Sequence, residues 1–282
     1  MIFEEITNIP SVSDICKKYE LFAKKSLGQN FLFDMNITRR IVRLAYENGK
    51  IDFEKDTIFE IGCGPGGLTR AILEAGAKKL IIIEQDERFV EIISDTLKDF
   101  KDRFEVISGD ALKTDISLLG TSPRHIIANL PYNISTALLI KWLENITSFS
   151  SMTLMYQKEV GDRICASVDE NAYGRLAVMA NWLCNTKVLF DINPRAFTPP
   201  PKVTSSVVFL KPKADAFQVS FKAMEKVVAA AFNQRRKMLR SSLKTLGQTE
   251  ELLAQAAIDG TKRAEQLDIS DFCRLAKVFE NK

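Results

Sequence analysis

Thr57-Ile58-Phe59-Glu60-Ile61-Gly62-Cys63-Gly64-Pro65-Gly66-Gly67 is the stretch that decides the fold. A short apolar strand runs into a loop with glycine at 62, 64, 66 and 67, and a helical pattern resumes from Leu68 to Ala75. The glycines let backbone approach a ligand, and the free N–H groups of the helix start sit behind them. Such a strand, loop and helix is the opening unit of a parallel α/β sheet.

The chain then repeats the alternation. Leu80 to Ile83 is a second apolar strand, ending in Glu84-Gln85-Asp86, with a helix from about Glu87 to Leu97. Phe104 to Ile107 is a third, ending in Ser108-Gly109-Asp110-Ala111, and His125-Ile126-Ile127-Ala128 is a fourth. A helix over 135–145 and a strand over 152–157 follow. Strands alternating with helices predict right-handed βα units. Upstream, Asp34 is placed to cap a helix over about 35–47 that Gly49 ends. Lys187 to Phe190 and Val203 to Leu210 read as the last strands, joined through the stiff, polyproline-like Phe197-Thr198-Pro199-Pro200-Pro201-Lys202.

Two ligand classes fit the glycine loop. Gly62, Gly64 and Gly67 satisfy the dinucleotide spacing G-x-G-x-x-G. Gly62, Gly64 and Gly66 satisfy the tighter G-x-G-x-G of methyltransferases. Glu84 lies 22 positions after Gly62, where an acid binds ribose hydroxyls in both classes. Asp110 ends the third strand, where a carboxylate can accept from an adenine amino group. The bland alternative for each acid is a solvated strand end or a helix cap. Their shared place at the carboxyl ends of successive strands favours ligand binding.

Asn129-Leu130-Pro131-Tyr132 separates the classes. Pro131 has no N–H and pushes Leu130 toward an extended conformation, so the fourth strand ends in a rigid corner. The Asn129 amide and the Leu130 carbonyl offer acceptors beside the Tyr132 ring. That suits a planar amine such as the exocyclic nitrogen of adenine, whose lone pair is delocalised into its ring. Two in-plane acceptors can hold both N–H bonds and favour a pyramidal nitrogen, and Tyr132 can stack on the base. A sulfonium methyl is already activated, so positioning and electrostatic fit supply the rate. A nicotinamide enzyme has no evident need of this corner.

The 282 residues suffice for one large domain and a small one. At 46% hydrophobic and 27% charged, the composition is that of a soluble globular protein. No apolar run approaches the roughly 18 residues of a membrane span. The first 20 residues show neither a signal nor a transit pattern. Five scattered cysteines without a C-x-x-C pair argue against metal or disulfide and for a reducing cytoplasm. His125, the single histidine, has no second histidine with which to build a triad or metal site. A net charge of +3 is too mild to establish nucleic-acid binding, so the distribution of charge matters more.

Composition shifts at Lys211-Pro212-Lys213, beyond which no strand signal occurs. One long helix is expected over 219–246, stopped by Gly247. Shorter ones are expected near 249–257 and over 271–280, the last with Ser270 as N-cap. At 100° per residue, Arg236, Lys237, Arg240 and Lys244 share a face opposite Val228, Phe232 and Leu239. Arg235 projects onto the apolar side and reads as a structural residue paired between domains.

The chain resembles the ribosomal RNA adenine N6,N6-dimethyltransferases, and most of all their small-subunit (16S rRNA) members. The matching segments are Leu27-Gly28-Gln29-Asn30-Phe31-Leu32, Glu60 to Gly66, Gly109-Asp110-Ala111, Asn129 to Ser135, Tyr173-Gly174-Arg175-Leu176, Phe197 to Ser205 and Phe232 to Lys237. They cover the chain from about residue 24 to its end. The resemblance implies a Rossmann-like S-adenosylmethionine-dependent α/β sheet over 24–212, a small all-helical rRNA-docking domain over 213–282, and an extension over 1–23 without assigned function.

It further implies that Asn30 and Leu32, with Gln29 adjacent, line the methionine side of the cofactor, as do Gly62 and its loop with Gly64. Glu84 takes the ribose and Asp110 the adenine. Asn129 meets both cofactor and target amine within the catalytic set Asn129, Leu130, Pro131, Tyr132 and Phe197. Tyr132 and Phe197 sandwich a flipped adenine. Lys24, Lys25 and the four cations of the stripe read as RNA contacts. Cys63 stands where the family often has proline, and reads as a small buried substitute rather than a reactive thiol.

The implied activity is dimethylation of two adjacent adenosines near the 3′ end of small-subunit rRNA, by a cytoplasmic monomer that also serves subunit biogenesis. A large-subunit methylase of the macrolide-resistance kind, a non-catalytic RNA-binding assembly factor and, at a distance, a nicotinamide dehydrogenase are the alternatives.

Overall fold

The computed structural model describes residues 3–21 and 29–281. In chain order the elements are α1 (Val12–Lys18), β1 (Phe31–Leu32), α2 (Met35–Gly49), β2 (Thr57–Ile61), α3 (Gly67–Glu74), β3 (Leu80–Glu84), α4 (Glu87–Thr96), β4 (Phe104–Ser108), β5 (Arg124–Asn129), α5 (Ser135–Glu144) and β6 (Ser151–Gln157). There follow α6 (Lys158–Cys165), α7 (Arg175–Leu183), β7 (Cys184–Ile192), β8 (Phe197–Thr198), β9 (Ser205–Pro212), α8 (Phe221–Asn233), α9 (Leu239–Ser242), α10 (Thr249–Gln255) and α11 (Ile269–Glu280).

The chain forms two compact units. One holds the residues up to Gly161 with Lys187–Pro212, the other Asp162–Thr186 with the residues from Lys213 on. The expected break at 212 is present, but 162–186 groups with the C-terminal helices. The reason is α7, which packs on α8 and α11 and is buried around its circumference at Ala177, Val178, Met179 and Ala180.

The first unit is built on a sheet of strand order β4-β3-β2-β5-β6-β9-β7. β2 pairs in parallel with β3 and β5, β3 with β4, and β5 with β6, while β9 runs antiparallel to β6. All five residues of β2 are buried. Successive side chains point to opposite faces, so both faces of the sheet are covered there. From β2 the chain builds outward through β3 to β4, then returns to place β5 on the other side of β2. Gly62 and Asn129 lie just at this reversal, where open sheets bind ligands.

The segment before residue 22 has a packing role that the sequence did not disclose. Glu4 N–H donates to the Glu74 carbonyl at 2.9 Å, and an Arg70 N–H donates to the Pro10 carbonyl at 2.6 Å. The Glu74 carboxylate is buried and held on both oxygens by Arg39, at 2.7 and 3.0 Å. A buried carboxylate held bidentately by arginine is strongly paired. Val12 and Ile15 of α1 are 2% exposed. As a result all eight residues of α3 are buried.

Asp34 caps α2 as expected, but Gly49 is the helix's last residue and Lys50 takes the left-handed cap position at φ 57°. A Cβ at Gly49 would lie 2.7 Å from the Ser151 hydroxyl, so it is closeness to β6 that requires glycine there. His125 is buried at the amino end of β5, 2.7 Å from the Ser151 hydroxyl and 3.3 Å from Asp56. Burial lowers its pKa, with Asp56 opposing.

The second unit departs from expectation at its long helix. α8 ends at Asn233, and after a turn over 234–237 the chain meets residues 260–263. Met238 forms a β-bridge with Arg263, and the Leu239 and Arg240 N–H groups donate to the carbonyls of Lys262 and Gly260 at 2.8 and 3.0 Å. These non-local bonds replace the helical ones, so the 100° projection fails beyond Asn233. The last helix also starts earlier than expected. Asp268, not Ser270, caps α11, because Asp268 and Asp271 bond reciprocally to each other's N–H groups. Arg235 pairs inside this unit, with Glu265 at 2.7 Å and the Asn171 carbonyl at 2.9 Å.

At Gly67, the first residue of α3, a Cβ would meet the Leu32 carbonyl oxygen at 2.7 Å. Gly67→Ala is expected to destabilise the protein by about 1–3 kcal/mol, the usual cost of overpacking. A urea midpoint equal to that of the parent would show that β1 yields freely.

Candidate active site

A cleft open at its mouth lies in the first unit at the carboxyl ends of the parallel strands. It brings together Gln29, Asn30, Leu32, Gly62, Gly64, Glu84, Asn129, Leu130, Pro131 and Tyr132, residues far apart in sequence. The glycine loop makes one wall. Gly62 has φ +74°, a conformation L side chains rarely adopt, and its missing Cβ would sit 3.7 Å from the Pro131 ring. The Asn129 corner therefore stands directly against the glycine loop.

β3 supplies the acid. The Glu84 carboxylate is 6% exposed and accepts N–H bonds from Gly64 at 3.1 Å and Asp86 at 2.9 Å. It ties the end of β3 to the glycine loop. Cys63 Sγ lies 3.5 Å from it, and burial pushes that thiol well up. A buried, protonated thiol is unreactive, as the sequence suggested.

The N-terminal wall is β1, which pairs antiparallel with β8, Leu32 opposite Phe197. Gln29 donates to Asp86 at 3.2 Å, and the Asn129 side-chain nitrogen is 3.5 Å from the Asn30 carbonyl. The Tyr132 hydroxyl shares a hydrogen bond with Ser205.

Two expected site residues stand elsewhere. Phe197 is 2% exposed and packs in the hydrophobic core, outside the cleft lining. Its backbone pairing fixes Leu32 against the cleft, and its ring has no face open for a base. Gly109 and Ala111 line the cleft, but Asp110 between them does not, and its carboxylate caps the Leu112 N–H at 2.9 Å. Arg236, Lys237, Arg240 and Lys244 are all exposed in the second unit. They occupy the turn after α8, α9 and the 3-10 turn that follows, rather than one helix face. Lys24 and Lys25 lie outside the described residues.

Two residues of the site were missed. Lys141 on α5 spends its ammonium N–H groups on the carbonyls of Ala111, Leu112 and Thr114, at 3.1, 2.8 and 2.7 Å, and so holds the loop after β4. Glu60, in the middle of β2, lines the cleft at 1% exposure, and its Oε2 has no hydrogen-bond partner. A buried acid inside an apolar strand was the available signal. An orphaned carboxylate oxygen, a glycine cradle and an amide-held acid together fit a cationic cofactor that carries a ribose.

Burial, with the Glu84 charge adding to it, pushes Glu60 up to about 8. Unfolded glutamate ionises near pH ~4.3, so between there and about 8 the native state holds a proton the unfolded chain has lost. The resulting stability is full below the lower value and gone above the upper one. Glu60→Gln should flatten this slope. Thermal melts of the cofactor-free protein at roughly pH 5.5 and pH 8.5 should show a larger fall in Tm for the parent than for the variant. Equal falls would contradict the assignment.

Residues 21–281 match the family model for ribosomal RNA adenine dimethylase. The chain is 48% identical over 273 residues to a Rhodospirillum rubrum protein named ribosomal RNA small subunit methyltransferase A, covering 96% of this chain and 93% of the relative. It is 50% identical over 277 residues to a Bradyrhizobium diazoefficiens protein of the same name, covering 96% of each. Among solved structures, a dimethyladenosine transferase from Plasmodium falciparum superposes with a TM-score of 0.73 at 28% identity, covering 87% of this chain and 95% of that one. The 23S rRNA methyltransferase ErmE superposes with a TM-score of 0.65 at 23% identity over 90% of this chain and all of its own, a likeness of fold. The chain belongs to the ribosomal RNA adenine dimethylase family.

Proposed function

We propose that this chain transfers methyl groups from S-adenosylmethionine to the N6 amines of two adjacent adenosines near the 3′ end of small-subunit rRNA, giving N6,N6-dimethyladenosine. The observation that carries the reading is the place of Pro131 beside the Gly62 turn, on the lining of one cleft and 3.7 Å from where a Cβ at Gly62 would stand. It sets a two-acceptor amine corner beside a cofactor cradle in one cleft. When bound, the cofactor supplies a methyl group already activated on a sulfonium centre.

The residues do the positioning. Gln29, Asn30, Leu32 and the loop of Gly62 and Gly64 hold the methionine side, where the buried Glu60 carboxylate meets positive charge. Glu84 is assigned to the ribose, and Asp110, after a turn of its side chain from Leu112, to the adenine. The Asn129 side-chain oxygen and the Leu130 carbonyl accept from the target amine, which gives up a proton to solvent as the new N–C bond forms. Tyr132 offers its ring to the flipped base. After the first transfer one N–H remains, and one acceptor still suffices to aim the nitrogen.

The small-subunit names of relatives near half identity favour that subunit over the large one. Among the described residues no helix is long and apolar enough to cross a membrane. Action as a cytoplasmic monomer with a part in subunit assembly belongs to the same proposal. Arg236, Lys237, Arg240 and Lys244, with Lys24 and Lys25, are assigned to rRNA phosphates.

Asn129→Ala should cut single-turnover methyl transfer by about 10²-fold or more, the scale of losing a transition-state contact. A rate within roughly threefold of the parent would refute the corner's role. Arg236→Glu with Arg240→Glu should weaken binding to small subunits and lower the log–log salt slope by somewhat under ~1 unit per lost phosphate contact. Both guanidinium groups face water, so cofactor affinity and folding should match those of the parent. Parental affinity and salt slope would move the RNA contact elsewhere.

A further inference from the structure

We propose that Ser205 is a positioning residue for methyl transfer, its hydroxyl holding the Tyr132 ring in place beside the Asn129 corner. This rests on the reading of Tyr132 as the face that receives the target base.

Ser205 opens β9 and lies opposite Gln157 of β6. Its Oγ is 2.5 Å from the Tyr132 hydroxyl, and it is 0% exposed. The following residues Val207, Val208, Phe209 and Leu210 are all buried apolar side chains. In such a strand a β-branched apolar residue packs well, and a buried hydroxyl costs free energy unless it is bonded. The bond made is the one to Tyr132. Neighbouring Ser206 points to the other face, as strand alternation requires, and donates to Asp191 at 2.6 Å. The two serines therefore serve different partners, and only Ser205 holds a residue that lines the cleft.

Tyr132 needs such an anchor. Pro131 fixes the backbone on its N-terminal side, but the ring still turns about two side-chain bonds. Tyr132 lines the cleft and is only partly covered, so packing alone does not fix its plane. A bond at the far end of the ring holds the phenol oxygen in place and so fixes the first torsion, and the preference of a phenol for hydrogen bonds in its own plane biases the second, whose axis runs through that oxygen. Burial raises the phenol's pKa, so the group stays protonated and the bond persists across neutral pH. A stacking face held at a set angle presents the amine of a flipped adenine to the two acceptors in one orientation, which is the near-attack geometry positional catalysis requires.

The test is steady-state and single-turnover kinetics on unmethylated small subunits, with cofactor affinity by calorimetry. Ser205→Ala should lower kcat about tenfold and leave cofactor affinity within about twofold of the parent. Ser205→Thr, which keeps the hydroxyl, should recover most of the rate. Ser206→Ala, on the same strand, should leave kcat at the parental value. Tyr132→Phe should fall as far as Ser205→Ala, and adding Ser205→Ala to it should cost less than about twofold more, since the serine acts through the tyrosine hydroxyl. If Ser205→Ala folds poorly, Ser205→Cys keeps the volume with a weak hydrogen-bonding group, and the same loss of kcat is expected.

Parental kcat in Ser205→Ala would overturn the proposal. So would a full additional loss in the Tyr132→Phe background, or a fall in cofactor affinity matching the fall in kcat. Tyr132→Ala separates the two levels. If it is inactive while Ser205→Ala is parental, the positioning role alone fails. If Tyr132→Ala is itself parental, the stacking assignment beneath it fails.

Discussion

The catalytic unit depends on the Glu84 carboxylate and the backbone amides it holds. By accepting from Gly64 and Asp86, this buried group joins the end of β3 to the turn after β2. The glycine loop then has one shape, α3 begins where it must, and β1 can pass within touching distance of Gly67. Burial raises the pKa of Glu60 and the charge of the same carboxylate adds to it, leaving two acids in one cleft with no basic side chain among the described residues that line it. That is an unfavourable arrangement for an empty protein and a favourable one for binding a cation. Some stability is held back at the site in return for affinity, as at many active sites.

Around this joint the remaining elements act as clamps. Leu32 is pinned by Phe197 across the β1–β8 ribbon. Lys141 saturates the carbonyls of the loop after β4. The N-terminal segment, tied to Glu74 and Arg70, seals α3 from water. None of these groups carries chemistry. Each removes freedom from a segment that does, which is how positioning and electrostatic fit contribute to the rate.

Much of this was legible in the sequence because it is local. Continuous apolar runs marked the strands, and polar or glycine residues at their ends marked the binding edge. Gly62, Glu84 and Asn129, picked out by position alone, all line the cleft. What escaped was set by distant partners. The helix expected over 219–246 breaks because residues 260–263 capture the N–H groups of Leu239 and Arg240, and no local propensity reports that. The ring of Phe197 was expected to meet the base, yet the core takes it, since an aromatic beside prolines reads the same whether buried or presented. The Asp110 carboxylate is a local case: it caps the Leu112 N–H two residues on, a bond it has to give up to serve the adenine. Glu60 hid inside an otherwise apolar strand, where only the covering of both sheet faces reveals how costly it is.

The most direct measurement is methyl transfer from labelled S-adenosylmethionine to unmethylated small subunits and, in parallel, to large subunits, with modified positions mapped by reverse-transcription stops. Label on two adjacent adenosines near the 3′ end of the small-subunit rRNA, with none on the large subunit, is the expected result. Label on the large subunit, or tight cofactor binding with no transfer to either, would contradict it.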